Sequence, residues 1–322
     1  MKPRARYVSI LGALLGSVLF AYAIRRAGTT EIVEGIRRVG WGLVLILLSG
    51  GARFLLRTEC WRLCLARRDD GAAGPLLGFG QAFSAFLAGD AVGSVTPLGL
   101  LASEPTKVFL TRHHLATRES VASLALENLV YAASVMAMVG VGMAVLLTEI
   151  ALPAWWRSVG VILVVAMAGG AVMVSRLLQG TWDGSRGARP RWRERLSGVR
   201  TAVISFSVDH RARLWRAFAL DLLFHTVAVC EIYVTLRWLT GAGGVTWTQA
   251  IVFEALNRIV TVVFKFVPFR IGIDEALSGA VAPMLAMDPA AGVALAVVRK
   301  IRNLFWSGVG LGIVAAHPSK AP

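Results

Sequence analysis

The chain is 322 residues long, with 56% of them hydrophobic and only 16% charged, where soluble domains carry about 25% charged residues. A mean hydropathy of +0.64 means more apolar surface than a soluble fold of this length can hide, which identifies an integral membrane protein. The formal net charge of +15 would point to nucleic acid in a soluble protein, but most of the cations are arginines crowded into the gaps between apolar runs. That is the positive-inside pattern of membrane proteins, and no nucleic-acid partner is expected.

In chain order, apolar stretches long enough to span a bilayer fall at 7–24, 41–61, 121–147, 153–177, 214–238 and 291–316, a span needing about 20 such residues. The first ends in Arg25 and Arg26 instead of a small-residue cleavage site, so it reads as a retained helix. Two further stretches are apolar but broken: 76–110 by Gly93, Pro97 and Gly99, and 249–287 by Pro268, Gly272 and Pro283. Proline removes a backbone donor and disfavours helix in the residue before it. Cys60, Cys64 and Cys230 are odd in number and lack a CxxC spacing, so neither a disulfide framework nor a zinc site is indicated.

Loop charges set the direction. Ten arginines in 176–216 face only Asp183, Glu194 and Asp209, which makes this segment cytoplasmic. The connection 148–152 has Glu149 and no cation, so it lies outside, and Lys107, Arg112 and Arg118 return to the inside. The stretch 76–110 then starts and ends on one side, as a re-entrant hairpin does; 249–287 does the same from the other side. Arg25, Arg26, Arg37 and Arg38 disagree, lying in a segment that should be external.

The expected fold is therefore an all-α polytopic membrane bundle of about six spans and two re-entrant hairpins. Residues 1–152 form one repeat and 153–322 an inverted copy, with the basic loop 178–213 between the spans of the second. Pro97 to Glu104 and Pro268 to Glu275 share a P-x6-E spacing 171 residues apart. Inverted repeats with discontinuous helices are a transporter architecture. Both termini are expected in the cytoplasm, and the location in the plasma (inner) membrane.

Ionisable side chains at membrane depth default to functional candidates. The substrate-binding set is Glu104, Lys107, Glu127, Arg258, Arg270, Asp274, Glu275 and Arg299. Asp90, Asn128, Asp221, His225, Glu231, Glu254, Lys265, Lys300, Arg302 and Asn303 are further polar groups in the same stretches. Glu254 and Arg258, spaced i,i+4, can equally neutralise each other on one helix face. Arg53, Arg57 and Lys265 read as cations that snorkel to an interface; Asp221 and His225 share a helix face, where a satisfied buried histidine is favoured over a proton relay. No catalytic residue, metal site or cofactor is indicated.

Ser94, Thr96 and Pro97, then Ser103, Glu104, Pro105, Lys107, Leu110 and Arg112, are similar to a "TP…GGEP.K…L.R" signature, and Pro268, Gly272 and Glu275 to "P-G-G-x-G-x-x-E". With the basic tryptophan segment Arg57–Arg62, the chain resembles the flippase-like membrane domain that forms the N-terminal half of lysylphosphatidylglycerol synthases. Ala102, Ser103, Phe269 and Arg270 stand where that pattern has glycines. The resemblance implies lipid translocation without aminoacyl transfer, since the lysyl-transferring domain is not in this sequence.

The expected function is a flippase or transporter, not an enzyme, that moves an anionic or polyprenyl-linked head group between the hairpins. Anionic lipids are expected at the basic loop. The competing class is a membrane enzyme acting on lipid head groups or polyprenyl phosphates, for which Asp69, Asp70, His113 and His114 are the adjacent pairs. A purely structural subunit is the third reading.

Overall fold

The computed structural model describes residues 37, 39–65, 77–96, 99–149, 158, 162, 206, 209–241, 244–265, 267–270 and 272–316. Among them the protein is helical, with no strand. The α-helices are α1 (Gly42–Leu63), α2 (Phe79–Val95), α3 (Gly99–Thr111), α4 (Thr117–Glu149), α5 (Arg211–Thr240), α6 (Trp247–Val263), α7 (Ile273–Val281) and α8 (Pro289–Ala316). Short 3-10 turns at Pro268–Arg270 and Ala282–Leu285 flank α7.

The helices are amphipathic in the sense opposite to that of water-soluble proteins. In α1, Ile46, Gly50, Arg53, Arg57 and Cys60 recur at helical spacing and are buried, while Val44, Leu45, Leu48 and Leu55 are exposed. A water-soluble helix hides its apolar stripe; here the charged stripe is inside and the leucines face out. Val121, Val141, Leu222, Leu223, Val262 and Phe305 continue this apolar exterior on the other long helices.

Helices α1 and α5 run antiparallel along a ladder of paired contacts. Gly42 meets Trp238, Ser49 bonds Glu231, Arg57 pairs with Asp221, and the Cys60 thiol lies 3.3 Å from the Ala217 carbonyl. Helix α2 packs on α8, where Gly310 abuts Leu87 and Ala91, and Val95 clusters with Leu304. Helix α4 packs on α6, where Gly142 abuts Ala255. Each half of the chain thus lends its partner a long helix to pack against.

Four of the expected spans coincide with α1, α4, α5 and α8. Among the described residues, α4 over Thr117–Thr148 and α5 over Arg211–Thr240 are long and apolar enough to cross a bilayer. Helix α8 carries Arg299, Lys300 and Arg302 mid-length and α1 carries Arg53 and Arg57, which lowers their hydropathy. The expected span 7–24, all of 153–177 but residues 158 and 162, all of the basic loop 178–213 but residues 206 and 209–213, and Asp69, Asp70, Pro97 and Lys320 lie outside the described residues.

The first broken stretch is the close hairpin α2–α3. At 17 and 13 residues its arms reach about 26 Å and 20 Å at 1.5 Å per residue, short of a hydrocarbon core of about 30 Å. The second is differently built: α6 also has 17 residues, but the returning α7 has 9 and packs mainly on α8. Its break lies beyond Pro268, where Phe269 (φ 49°), Arg270 (φ 49°) and Gly272 (φ 80°) are all left-handed.

Small residues permit these close crossings, and two neighbouring glycines test the point. A Cβ on Gly142 would lie 2.2 Å from the Ala255 Cβ, whereas one on Gly140 would meet nothing within 4 Å. Overpacking costs about 1–3 kcal/mol. Gly142→Ala should lower the thermal unfolding midpoint in detergent, and Gly140→Ala should leave it unchanged or raised.

Candidate functional site

Between the helices lies a cavity of about 260 Å³, near the lower end of small-molecule pockets at about 300 Å³. Its wall draws on both halves of the chain. Arg53 and Arg57 come from α1, Asp90 from α2, and Glu104 and Lys107 from α3. Tyr131 comes from α4, Phe224 from α5, Arg258 from α6, and Arg302 and Trp306 from α8, with Lys265 and Arg270 at the second break. Tyr131, Phe224 and Arg302 sit near the midpoints of their helices, so the cavity opens at mid-helix depth.

Three ionic clusters tie the helices around it. Arg57 forms an ion pair with Glu127 on α4 (2.6 Å) and donates to Asp221 on α5 (3.3 Å), and its guanidinium lies 3.7 Å from the Tyr131 ring centroid. Glu231 on α5 is held by Arg302 on α8 and Ser49 on α1, with Arg53 3.9 Å away. Glu254 on α6 takes Arg258 at 2.8 Å and meets His225 on α5 at 3.4 Å, and Arg258 donates to the Tyr131 hydroxyl at 2.9 Å.

The expectation that Arg53 and Arg57 snorkel to an interface is therefore corrected. Both are buried and at least nine-tenths covered, because each finds a carboxylate or an aromatic face deep in the bundle; Arg53 lies 4.3 Å over the Phe224 ring. Lys265 is exposed and lines the cavity, and among the described residues no ion pair engages it.

Of the candidate set, Glu104, Lys107, Arg258 and Arg270 are brought together in the cavity wall. Lys107 pairs with Glu104 at 3.0 Å, and Arg270 with Asp274 at 3.2 Å. Glu127 stands one layer behind, buried against Arg57. Glu275 is outside the wall: it accepts the Gly272 N–H at 2.9 Å and pairs with Lys300. Glu104 and Glu275, alike in sequence spacing, thus occupy different settings, one facing the cavity and one capping a helix. Arg299 is buried on α8, away from the lining. His113 and His114 are exposed at the turn after α3, where His114 meets Gln81 at 3.0 Å.

Two glycine positions of the resembling pattern gain a physical reason. Phe269 and Arg270 hold the left-handed φ that glycine adopts freely, at a cost of about 1–2 kcal/mol each. Phe269 offsets this by burying its ring with Val95 and Leu304, and Arg270 by its bond to Asp274. In the first hairpin the small residues have moved across the interface: Gly89 and Gly93 on α2 receive the backbone and Cβ of Ser103 on α3.

Inside-out helices around a cation-rich chamber define a helical membrane protein with a polar site at mid-helix depth. The family model of the lysylphosphatidylglycerol synthase transmembrane region matches residues 9–312, and the chain belongs to that family. No curated protein and no solved structure matches it. Family membership makes it a membrane protein related to lipid modification or transport.

Removing one partner of a buried ion pair strands the other, at about 3–5 kcal/mol. Arg57→Ala strands both Glu127 and Asp221, so it should lower stability by roughly that amount in detergent denaturation. Arg57→Lys should recover part of the loss, since it keeps the charge but not the fork that reaches two carboxylates.

Proposed function

We propose that the protein is a lipid flippase or transporter that carries an anionic or polyprenyl-linked head group through the chamber. The observation that carries this reading is the chamber's lining: Arg53, Arg57, Lys107, Arg258, Lys265, Arg270 and Arg302 against Asp90 and Glu104. Arginine forks suit phosphate, and lysine serves it as a point charge. Because many of these cations are balanced by carboxylates, the free attraction centres on Lys265 and on the pair Arg53 and Arg302, which share one carboxylate. A head group entering here exchanges hydration for fixed charges halfway across the hydrocarbon.

The two halves are proposed to be inverted repeats. The element order α1–α4 recurs in α5–α8, the first hairpin arms α2 and α6 have the same length, and α2 packs on α8 as α6 packs on α4. A two-fold relation exchanges those two contacts and maps the antiparallel α1–α5 pair onto itself. Alternate opening of the halves would expose the chamber to each leaflet in turn. The same reading puts the protein in the plasma membrane with both termini in the cytoplasm, and has it translocate lipid without chemically altering it.

Two measurements test this. In sealed proteoliposomes, Lys265→Gln should slow leaflet exchange of a fluorescent anionic phospholipid about tenfold, the loss of one charged contact of roughly 1.4 kcal/mol, with no change in unfolding midpoint. Wild-type protein that moves no anionic lipid between leaflets, but converts it chemically in detergent micelles, would establish the enzyme instead. In a cysteine-free background, a cysteine at Gly184 should label only from the cytoplasm and one at Gly243 only from outside; labelling of both from one face would end the inverted-repeat arrangement.

A further inference from the structure

His225 is a buried titratable group that head-group recognition leaves unused. It sits mid-way along α5 at 2% exposure, its ring stacked on Tyr131 (centroids 6.2 Å apart, 14° between planes) and edge-on to Phe224. Nδ1 faces the Glu254 carboxylate at 3.4 Å and Nε2 faces the Ser134 hydroxyl at 3.3 Å. Ser134 has one hydroxyl hydrogen, and it is directed at the Tyr131 carbonyl 2.8 Å away. That leaves its oxygen to accept from Nε2, while a carboxylate at Nδ1 can only accept. Both ring nitrogens therefore face acceptors. The setting suits a histidine and a carboxylate that together hold one proton more than a neutral imidazole beside an ionised acid.

This pair touches the chamber through one residue. Glu254 Oε1 binds Arg258 Nε at 2.8 Å, and Arg258 is in the chamber wall, whereas His225 and Glu254 are not. The charged and titratable groups around His225 are Glu254 and Arg258 on α6, Tyr131 on α4 and Arg53 on α1, with Asp221 one turn away on its own helix. Helix α8 adds Arg299 near Glu254 and Arg302 against Glu231. Asp221 is taken by Arg57 and Glu231 by Arg302, so Glu254 is the carboxylate that answers Arg258 and His225 together.

We infer that His225 and Glu254 form a proton site coupled to the chamber, so that binding of a lipid with a monoanionic phosphodiester head group at Arg258 is accompanied by uptake of a proton from water. With the chamber empty, a protonated His225 sets a second cation beside Arg258 against the single charge of Glu254. A phosphodiester on the guanidinium supplies the missing negative charge, and the proton is then retained on the imidazole. No covalent bond is made or broken; the proton moves from solvent to a ring nitrogen when lipid binds and returns when it leaves. Linkage requires the reciprocal effect, that lipid affinity rises as pH falls. Protein that carries lipid and proton together draws on the proton gradient. The inference rests on the lipid-transport reading.

The experiment uses the full-length protein in detergent, titrated with short-chain phosphatidylglycerol in weakly buffered solution containing a pH indicator. Binding is followed separately by the fluorescence of the tryptophans, Trp306 being in the chamber wall. Wild type should take up on the order of one proton per lipid bound. His225→Gln should bind lipid without uptake. Should that variant fail to fold, Ser134→Ala, which removes the acceptor at Nε2, should move the uptake to lower pH. Binding by wild type with no proton uptake would overturn the coupling and leave the transport reading intact, as would undiminished uptake in His225→Gln. Wild type that binds no anionic lipid would overturn the transport reading, and the coupling with it.

Discussion

A charge placed where lipid surrounds the bundle must be paired or must face water, because removing one from water costs several kcal/mol per ion. The arrangement of this protein follows from that constraint. Arg57 draws α1 to α4 and α5; Glu231 draws α5 to α8 and α1; Glu254 draws α6 to α5. Each of the first two clusters joins helices from both halves of the chain. The apolar surfaces turned outward give the helices no reason to prefer one another over lipid, so packing at glycines and these charged contacts must specify the partners.

The same clusters create the chamber. Helices that meet through arginine–carboxylate contacts at their midpoints cannot also interdigitate there as tightly as at Gly142 or Gly310, and the remaining space is lined by the far sides of those arginines. Arg57, Arg258 and Arg302 are thus at once structural ties and chamber wall. This dual role separates them from Lys265 and Asp90, which line the space with no ion-pair partner among the described residues and can answer to a ligand without loosening the bundle.

The class of the fold was legible because long apolar runs follow directly from the bilayer. The broken stretches were legible because proline and glycine are local signals. The interior of α1 was not: Arg53 and Arg57, read alone on an apolar helix, look like snorkelling cations, and their partners Glu231, Glu127 and Asp221 lie far along the chain. The signal that would have helped was spacing, since Gly50, Arg53, Arg57 and Cys60 share the face that turns away from Leu48 and Leu55. Equal motif spacing misled in the other direction, giving Glu104 and Glu275 one role. The second break is displaced by the left-handed residues Phe269, Arg270 and Gly272, so Glu275 falls in the first turn of its helix, where a carboxylate caps free N–H groups, while Glu104 stands further into α3.

The distribution of ion pairs also separates what can move from what cannot. The ties among α1, α4, α5, α6 and α8 are buried and charged, and opening any of them would expose an unpaired ion to the interior. Hairpin α2–α3 is held differently. Its ion pair, Lys107 with Glu104, lies within α3, and Lys107 rests 4.2 Å from the Phe86 ring of α2. Its contacts with the rest are apolar through Leu87 and Ala91 on Gly310 and through Phe86 on Trp61, neutral near its ends as from Thr111 to Ser120, and cation-to-ring where Arg57 and Arg62 of α1 stand 5.6 Å and 5.5 Å from the Phe86 and Phe79 rings. At its other end, Gly99 touches the Lys265 backbone of the second break. Among the described residues, displacing this hairpin as a body separates no ion pair, yet it carries Asp90, Glu104 and Lys107 out of the chamber wall together. The chamber therefore has one wall that can be displaced without breaking an ion pair, set against a frame tied by buried charges, which is the division that the proposed head-group transport requires.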